Sequence, residues 1–341
     1  MKQKYIFWVL YNTLRQPLPG KNNFMIMKKS FLLSALLIPL SILSQNFSKH
    51  NKKRVSRLQG DIITLASDEM EGREPGTNGE IKARDYIISR MQEIGLTPKG
   101  TDGFIQAFTY YEQANQNEGA VKAHNVIGFI DNGAEKTVVI TAHYDHLGYG
   151  GSGSKYKGSS EIHNGADDNA SGTAALLELA HIIKNNKIKE HNNFLFIAFS
   201  AEEKGLLGSK YYVMNPSLNL NEINYVLNMD MLGRMEPGMA LTIEGLGSSL
   251  IWESSLKEIE CDAFPLTLKK RENGPSDHAP FYEAGIPALH FWTGKHDDYH
   301  KPSDDAEKIN FIAESQIISF IEALIFLIDS KEKINFHLRE K

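Results

Sequence analysis

The sequence predicts one α/β domain with a central mixed, mostly parallel sheet flanked by helices on both faces. Three observations predict it. Between residues 137 and 328, short strand-like apolar runs alternate with segments of helical apolar spacing. Such alternation packs as a parallel sheet with helices covering both faces. An Asn132-Gly133 turn signal between two β-rich runs adds a hairpin, which makes the sheet mixed. No strong linker interrupts residues 60–330, so they read as a single domain.

The elements follow in order. Ala83, Tyr86, Ile87, Met91 and Ile94 repeat at helical spacing, and Gly95 stands where a left-handed residue commonly ends a helix. Asn125 to Ile130 and Thr137 to Thr141 are the two hairpin strands. Ser171 to Lys184 is a helix with Leu176, Leu177, Leu179, Ala180 and Ile183 as its apolar residues. Phe194 to Phe199 is a buried-type strand, and Leu206 to Met214 a short helix. Strands over Ile223 to Met229 and Ala240 to Ile243 precede a helix over Leu250 to Ile259. A strand over Ile286 to Phe291 and a long helix over Ile309 to Ile328 close the domain.

Ahead of the domain, Met27-Lys28-Lys29, the apolar run Phe31 to Leu43 and Ser44 read as a signal peptide over 27–44, cleaved after Ser44. The run is short for a bilayer span of about 20 residues. The expectation is export to the periplasm or beyond, with no stable membrane insertion after cleavage; a retained anchor is the alternative. Residues 1–26 read as an extension ahead of a true start at Met25 or Met27. Residues 45–59 read as a polar, basic leader, and 331–341 as a charged tail.

Composition narrows the function. Hydrophobic residues make up 41% and charged residues 23%, ordinary for a soluble globular protein. The net charge of -5 argues against nucleic acid as a partner, which calls for a basic patch. The one cysteine, Cys261, excludes an internal disulfide and a thiolate zinc site, and reads as a packing residue or a reactive thiol.

In an open α/β sheet, ligands bind beyond the carboxyl ends of the strands. Metal-capable residues collect there. The strand at 137–141 runs into His143, Asp145 and His146, that at 194–199 into Glu202 and Glu203, and that at 223–229 into Asp230. The strand at 286–291 leads to His296, Asp297, Asp298, Tyr299 and His300, while Asp167 and Asp168 precede a helix. This nitrogen and oxygen donor set suits zinc, with other divalent metals as substitutes. Each piece alone has a plainer reading: a Glu pair is more often a solvated face, and paired Asp before a helix more often a cap.

The pieces in this order resemble the M28 family of zinc aminopeptidases. The likeness rests on Leu65 to Gly76, Asn125 to Gly128, Ala142 to Asp145, Gly165 to Gly172, Ala201 to Ser209, Asn228 to Gly233 and Tyr299 to Asp304. The resemblance implies a zinc-exopeptidase-like fold, two zinc ions and peptide substrates. It implies that Asp168 bridges both metals, that Glu203 and His300 complete one site, and that His143 and Asp230 complete the other. The Asp168–Asn169 peptide is expected to be cis. Asp145 is expected to accept the ring N–H of His143. Glu202 is expected as the general base, taking a proton from a water between the metals and returning it to the leaving amine. Tyr299 is expected to stabilise the oxyanion through its hydroxyl.

Other groups are weighed beside these. His146 reads as a loop position, with pocket lining as the alternative. His278, in Ser276 to Phe281, is a candidate substrate contact and not a ligand. His296, Asp297 and Asp298 read as loop residues at the entrance, His181 as structural, and His50, His191 and His337 as surface residues. Gly148 to Gly158 reads as a mobile loop over the cleft, and Tyr110 to Glu118 has no assignment. Three functions compete: an aminopeptidase, a glutaminyl cyclase of related fold with one zinc, and a non-catalytic binding ectodomain. The last would be marked by loss of ligands or base, and none is lost. A dipeptidase or carboxypeptidase shares the same motifs. Oligomeric state is not readable from the sequence.

Overall fold

Nine strands form one sheet in the computed structural model, which describes residues 51–111, 119–270, 274–329 and 333–337. The signal peptide, the extension, residues 45–50 of the leader and most of 110–118 lie outside the described residues. The strands are β1 (Thr97–Pro98), β2 (Ile105–Tyr110), β3 (Val121–Ile130), β4 (Thr137–His143) and β5 (Asn193–Phe199). They continue with β6 (Ile223–Met229), β7 (Leu241–Glu244), β8 (Leu266–Leu268) and β9 (Ala288–Trp292). The order is β1-β3-β5-β4-β6-β9-β7-β8, with β2 also paired to β3. The central four, β5, β4, β6 and β9, are parallel neighbours. Antiparallel pairs stand on both flanks.

The expected hairpin between residues 125–130 and 137–141 does not form. β5 lies between these strands, antiparallel to β3 and parallel to β4. Gly133 does turn, at φ 69. The connection then steps across β5, a distance of two strand spacings or about 10 Å, which six residues span easily. Asn193, at the start of β5, holds this crossing in place. Its Oδ1 accepts from Asn132 N and Ala134 N at 2.9 and 3.1 Å, and its Nδ2 donates to Ala134 O at 2.8 Å. The antiparallel ladder partner of β3 is β2, from Ile105↔Val126 to Tyr110↔Val121.

Alternating side chains of β5 fill two cores, as the period of two requires. Phe194, Phe196 and Ala198 face the larger core, while Leu195, Ile197 and Phe199 face the smaller. Over the larger core lie α1 (residues 51–65), α2 (Asn78–Ile94), α3 (Gly172–Asn185), α5 (Ile251–Glu258) and α7 (Phe311–Asp329). Over the smaller lie α4 (Leu207–Met214) and α6 (His278–Glu283), contributing Tyr212 and Phe281. α2 begins earlier than its apolar spacing suggested, because Thr77 caps it by accepting from Glu80 N. Gly95, at φ 87, ends it by donating to Met91 O and Gln92 O.

The described part of the leader, residues 51–59, forms the first part of α1, which is docked on the domain. Leu58, Ile62 and Leu65 are fully buried. Arg57 grips Glu178 of α3 with two bonds of 2.7 Å, and Arg54 meets Glu322 of α7 at 2.8 Å. The basic residues of this leader find their carboxylates far along the chain. The tail is likewise docked over 333–337: Ile334 is 2% exposed, and Ser249 Oγ donates to Asn335 O at 2.8 Å.

Candidate metal centre

The parallel strands end side by side, so the residues just past them meet. Three of these turns hold non-glycine residues at positive φ: Ala201 (58°), Met231 (58°) and His300 (59°). Left-handed backbone disfavours L-residues and clusters at functional sites. Ala201 precedes Glu202, Met231 follows Asp230, and His300 is itself an expected ligand. The fourth turn, over Ala166–Ser171, carries the cis peptide Asp168–Asn169. Asn169 locks this turn to the end of β6: its Nδ2 donates to Met229 O at 3.1 Å, and its Oδ1 accepts from Met231 N at 3.1 Å.

All five residues expected as ligands come together, with Glu202 among them. Asp168 presents one carboxylate oxygen to each of two imidazoles: Oδ1 lies 3.4 Å from His143 Nε2, and Oδ2 lies 3.1 Å from His300 Nε2. His143 Nε2 is also 3.3 Å from Asp230 Oδ1, and His300 Nε2 is 3.3 Å from Glu203 Oε2. Glu202 Oε2 is 4.0 Å from His143 Nε2. Ligand atoms of His143, Glu202 and Asp230 lie within 4.8 Å of one another, as do those of His146, Asp168 and Glu203. The second triad contains His146 where His300 was expected. Both imidazoles in fact flank Glu203, because His146 Nδ1 lies 2.9 Å from its other oxygen, Oε1. His146, read as a plain loop position, is therefore fully buried against an expected ligand.

Asp145 does more than the sequence suggested. Its carboxylate is 3.6 Å from His143 Nδ1, and its backbone carbonyl is nearer, at 3.2 Å. The carboxylate oxygens also accept from the Glu202 and Glu203 amides at 3.0 and 3.3 Å. Tyr299 stacks on His300 with ring centroids 3.8 Å apart. Asp167 turns away from the pair of imidazoles. It accepts from Gly233 N at 2.6 Å and lies 3.1 Å from His296 Nε2. Asp304 Oδ2 accepts from the Asp167 and Asp168 amides at 3.0 and 3.1 Å. Ser276 donates to Asp230 Oδ2 at 2.9 Å, and Asn228 donates to Ser276 at 2.8 Å. His278 is buried and stacks on His290 with centroids 4.7 Å apart. Asp298 pairs with Arg234 and Lys308, away from the imidazoles.

Arg73 went unassigned in the sequence although it lies in one of the segments that carry the resemblance. Its side chain is fully buried and donates to four backbone carbonyls: Tyr144, Leu65, Asn164 and Gly165, at 2.5–2.9 Å. It ties together the segments that carry Asp145 and Asp168. The Gly148 to Gly158 loop, expected to be mobile, is bonded to the centre. Lys155 N donates to His300 O at 2.9 Å, and the His300 ring Nδ1 lies 2.8 Å from Gly153 O.

The electrostatics fit a cation site. Burial opposes the charge on His300, but hydrogen bonds to Asp168 and Glu203 outweigh it and hold its pKa at about 10. Burial and Asp168 both disfavour the charge on Glu203, yet His146 and His300 hold it down at about 2. Burial pushes Glu202 well up, the neighbouring carboxylates adding to it against His143. Four buried or half-buried carboxylates, Asp168, Glu202, Glu203 and Asp230, thus cluster with imidazoles, a donor set that accepts zinc or similar divalent ions.

Comparison with known proteins gives the same direction. A family model described as Peptidase family M28 matches residues 125–324. Aminopeptidase YwaD of Bacillus subtilis is 34% identical over 67% of this chain and 48% of its own length. The chain spans about half the length of the first curated relatives it matches. The fold is shared with a zinc aminopeptidase from Bacillus subtilis, at a TM-score of 0.61 and 22% identity over 83% of this chain and 98% of that one. It is shared too with a Porphyromonas gingivalis glutaminyl cyclase, at a TM-score of 0.62 and 17% identity over 79% and 97%.

Proposed function

The chain belongs to peptidase family M28, and from that premise we propose that it is an exported zinc aminopeptidase releasing the first residue of peptides. The observation that carries this reading is the placement of Asp168, one oxygen to each of two imidazoles that have carboxylates of their own. His143 and Asp230 would hold one ion, Glu203 and His300 the other, with Asp168 between them. When bound, two such ions polarise a carbonyl and make water more acidic.

The protein's own groups do the rest. Glu202, whose burial raises its proton affinity, takes a proton from the attacking water and passes it to the leaving amine. Tyr299 keeps its hydroxyl proton, because burial and then the carboxylates of Asp168 and Glu203 raise its pKa, and donates to the oxyanion. Asp145 holds the Glu202–Glu203 backbone by accepting both amides, which fixes the base and the ligand relative to each other. His146 orients Glu203 through its second oxygen. Export rests on the signal peptide at 27–44, and N-terminal sequencing of the secreted form should begin at Gln45.

The test combines one variant with a substrate panel. Glu202→Gln should keep its zinc and lose turnover by about 10²–10⁴-fold. Full zinc with wild-type turnover would remove Glu202 as the base. Peptides with a free amine should be cleaved and their N-acetylated forms left intact. Ring closure of N-terminal Gln peptides with one bound zinc would replace this reading by the cyclase.

A further inference from the structure

Three lysines crowd the mouth of the metal centre. Lys155 Nζ lies 3.9 Å from the centroid of the Tyr299 ring, and Lys295 Nζ lies 4.5 Å from it. Tyr299 stacks in turn on His300. Lys301, the residue after His300, lines an open cavity of about 640 Å³ together with Lys155, Lys157 and Glu161. Glu161 is already engaged by the hydroxyls of Tyr156 and Ser159. Among the described residues, no carboxylate stands within ion-pair distance of Lys155, Lys295 or Lys301. This occurs in a chain of net charge -5, where carboxylates outnumber cations.

The backbone sets the position of Lys155. Its N–H donates to His300 O, and the His300 ring meets Gly153 O, so the loop is registered on an expected ligand. The aromatic ring attracts both ammonium groups by cation–π interaction without neutralising their charge. Crowding is visible on Lys155: burial lowers its pKa first, and Lys295 and Lys301 lower it further. Asp168 is the anion that eases this repulsion, and it is the carboxylate expected to be committed to metal. What the cluster lacks is an anion of its own.

We propose that Lys155 and Lys295, seated on Tyr299, form a carboxylate-binding rim that selects peptides carrying a carboxylate beside the scissile bond. That carboxylate is an acidic side chain or the free C-terminus of a dipeptide. The inference rests on the peptide-hydrolase reading. Charge-assisted hydrogen bonds from two ammonium groups supply the preference. Its size is that of two exposed ion pairs, about fivefold in kcat/KM at low salt.

The zinc-loaded full chain is assayed at low ionic strength on Leu-Glu-amide against Leu-Gln-amide, and on Leu-Ala against Leu-Ala-amide. The first pair isolates an acidic side chain and the second a free C-terminus. At least one carboxylate-bearing member should lead by about fivefold. The ratio should fall toward one in the Lys155→Met/Lys295→Met double variant, in its Gln/Gln counterpart, and in about 0.5 M salt. A second measurement needs no turnover: glutarate binding to the metal-free chain, followed by NMR titration at low salt, saturable in the wild type and lost in both double variants. Cleavage of all four peptides with no carboxylate preference, or with a preference that survives in the double variants, overturns the rim and leaves the hydrolase standing. If none of the four is cleaved, the hydrolase reading fails and glutarate alone decides. Binding lost in the variants then upholds a carboxylate site on Tyr299 and overturns its role in peptide selection, and absence of binding overturns both.

Discussion

Asp145→Asn strikes the point where the two halves of the centre are joined. The side chain is fully buried, and both of its oxygens accept backbone amides, Glu202 N at 3.0 Å and Glu203 N at 3.3 Å. Asparagine keeps the shape but has one oxygen. Whichever way its amide turns, an N–H of Glu202 or Glu203 faces an NH2 group. A buried donor left without an acceptor costs about 1–3 kcal/mol. The bond that survives is no longer charge-assisted, and such bonds are roughly twice as strong as neutral ones. The total is about 2–4 kcal/mol, placed between the base and a ligand. Part of it will be lost as stability of the metal-free fold and part as zinc affinity, since changes just behind ligands typically cost 10–100-fold. The expectation is a zinc affinity about 30-fold weaker, measured by competition with a chelator. Turnover should fall even at saturating zinc, because Glu202 shares the same support. Wild-type zinc affinity together with wild-type turnover in Asp145→Asn would refute the claim that this carboxylate sets the Glu202–Glu203 geometry.

Other outcomes follow from the same contacts. In the metal-free protein His300 is held protonated with a pKa of about 10. A raised pKa stabilises the fold fully below the ordinary value of about 6.5, and that stability is lost as pH rises through about 10. Zinc must displace this proton, so zinc affinity should rise with pH between about 6.5 and 9, with proton release seen as a buffer-dependent heat of binding; a pH-independent affinity would contradict it. Arg73→Met removes four bonds from a buried guanidinium and leaves four carbonyls without it, which should cost at least about 4 kcal/mol in chemical denaturation. Arg73→Lys, with three donors and no fork, should recover only part of that loss. Leu58→Ala should cost about 2–5 kcal/mol, because this α1 side chain is fully buried; a neutral result would mean that α1 is dispensable to the domain.

Much of the fold can be read along the chain because its signals are short-range. Apolar spacing and Gly95 locate α2 and its end, and the short apolar runs locate β4, β5 and β6 within two residues of where they stand. β1, β2 and β8 escape notice. β1 and β8 are two and three residues long, and β2 runs toward a segment without regular pattern. α1 escapes because its charges look solvated until Glu178 and Glu322 are beside them. The hairpin fails because Asn132-Gly133 specifies a turn and says nothing about which strand lies beyond it.

The sequence by itself gathered the metal-capable residues, since they follow the carboxyl ends of strands or precede a helix in an open α/β sheet, and the resemblance to family M28 chose five of them as expected ligands. That rule needs only the order of elements. The tertiary structure alone decided what supports them. It placed His146 on the second oxygen of Glu203, turned the Asp145 carboxylate to the amides of the Glu pair, buried Arg73 among four carbonyls, and set two lysines on the ring of Tyr299. Most of these contacts, such as His146 with Glu203, Asp145 with Glu202, Arg73 with Tyr144 and Lys155 with Tyr299, join residues far apart along the chain. Hydrogen bonds and charges act through space over a few ångströms, so such partners stay invisible until the chain has closed.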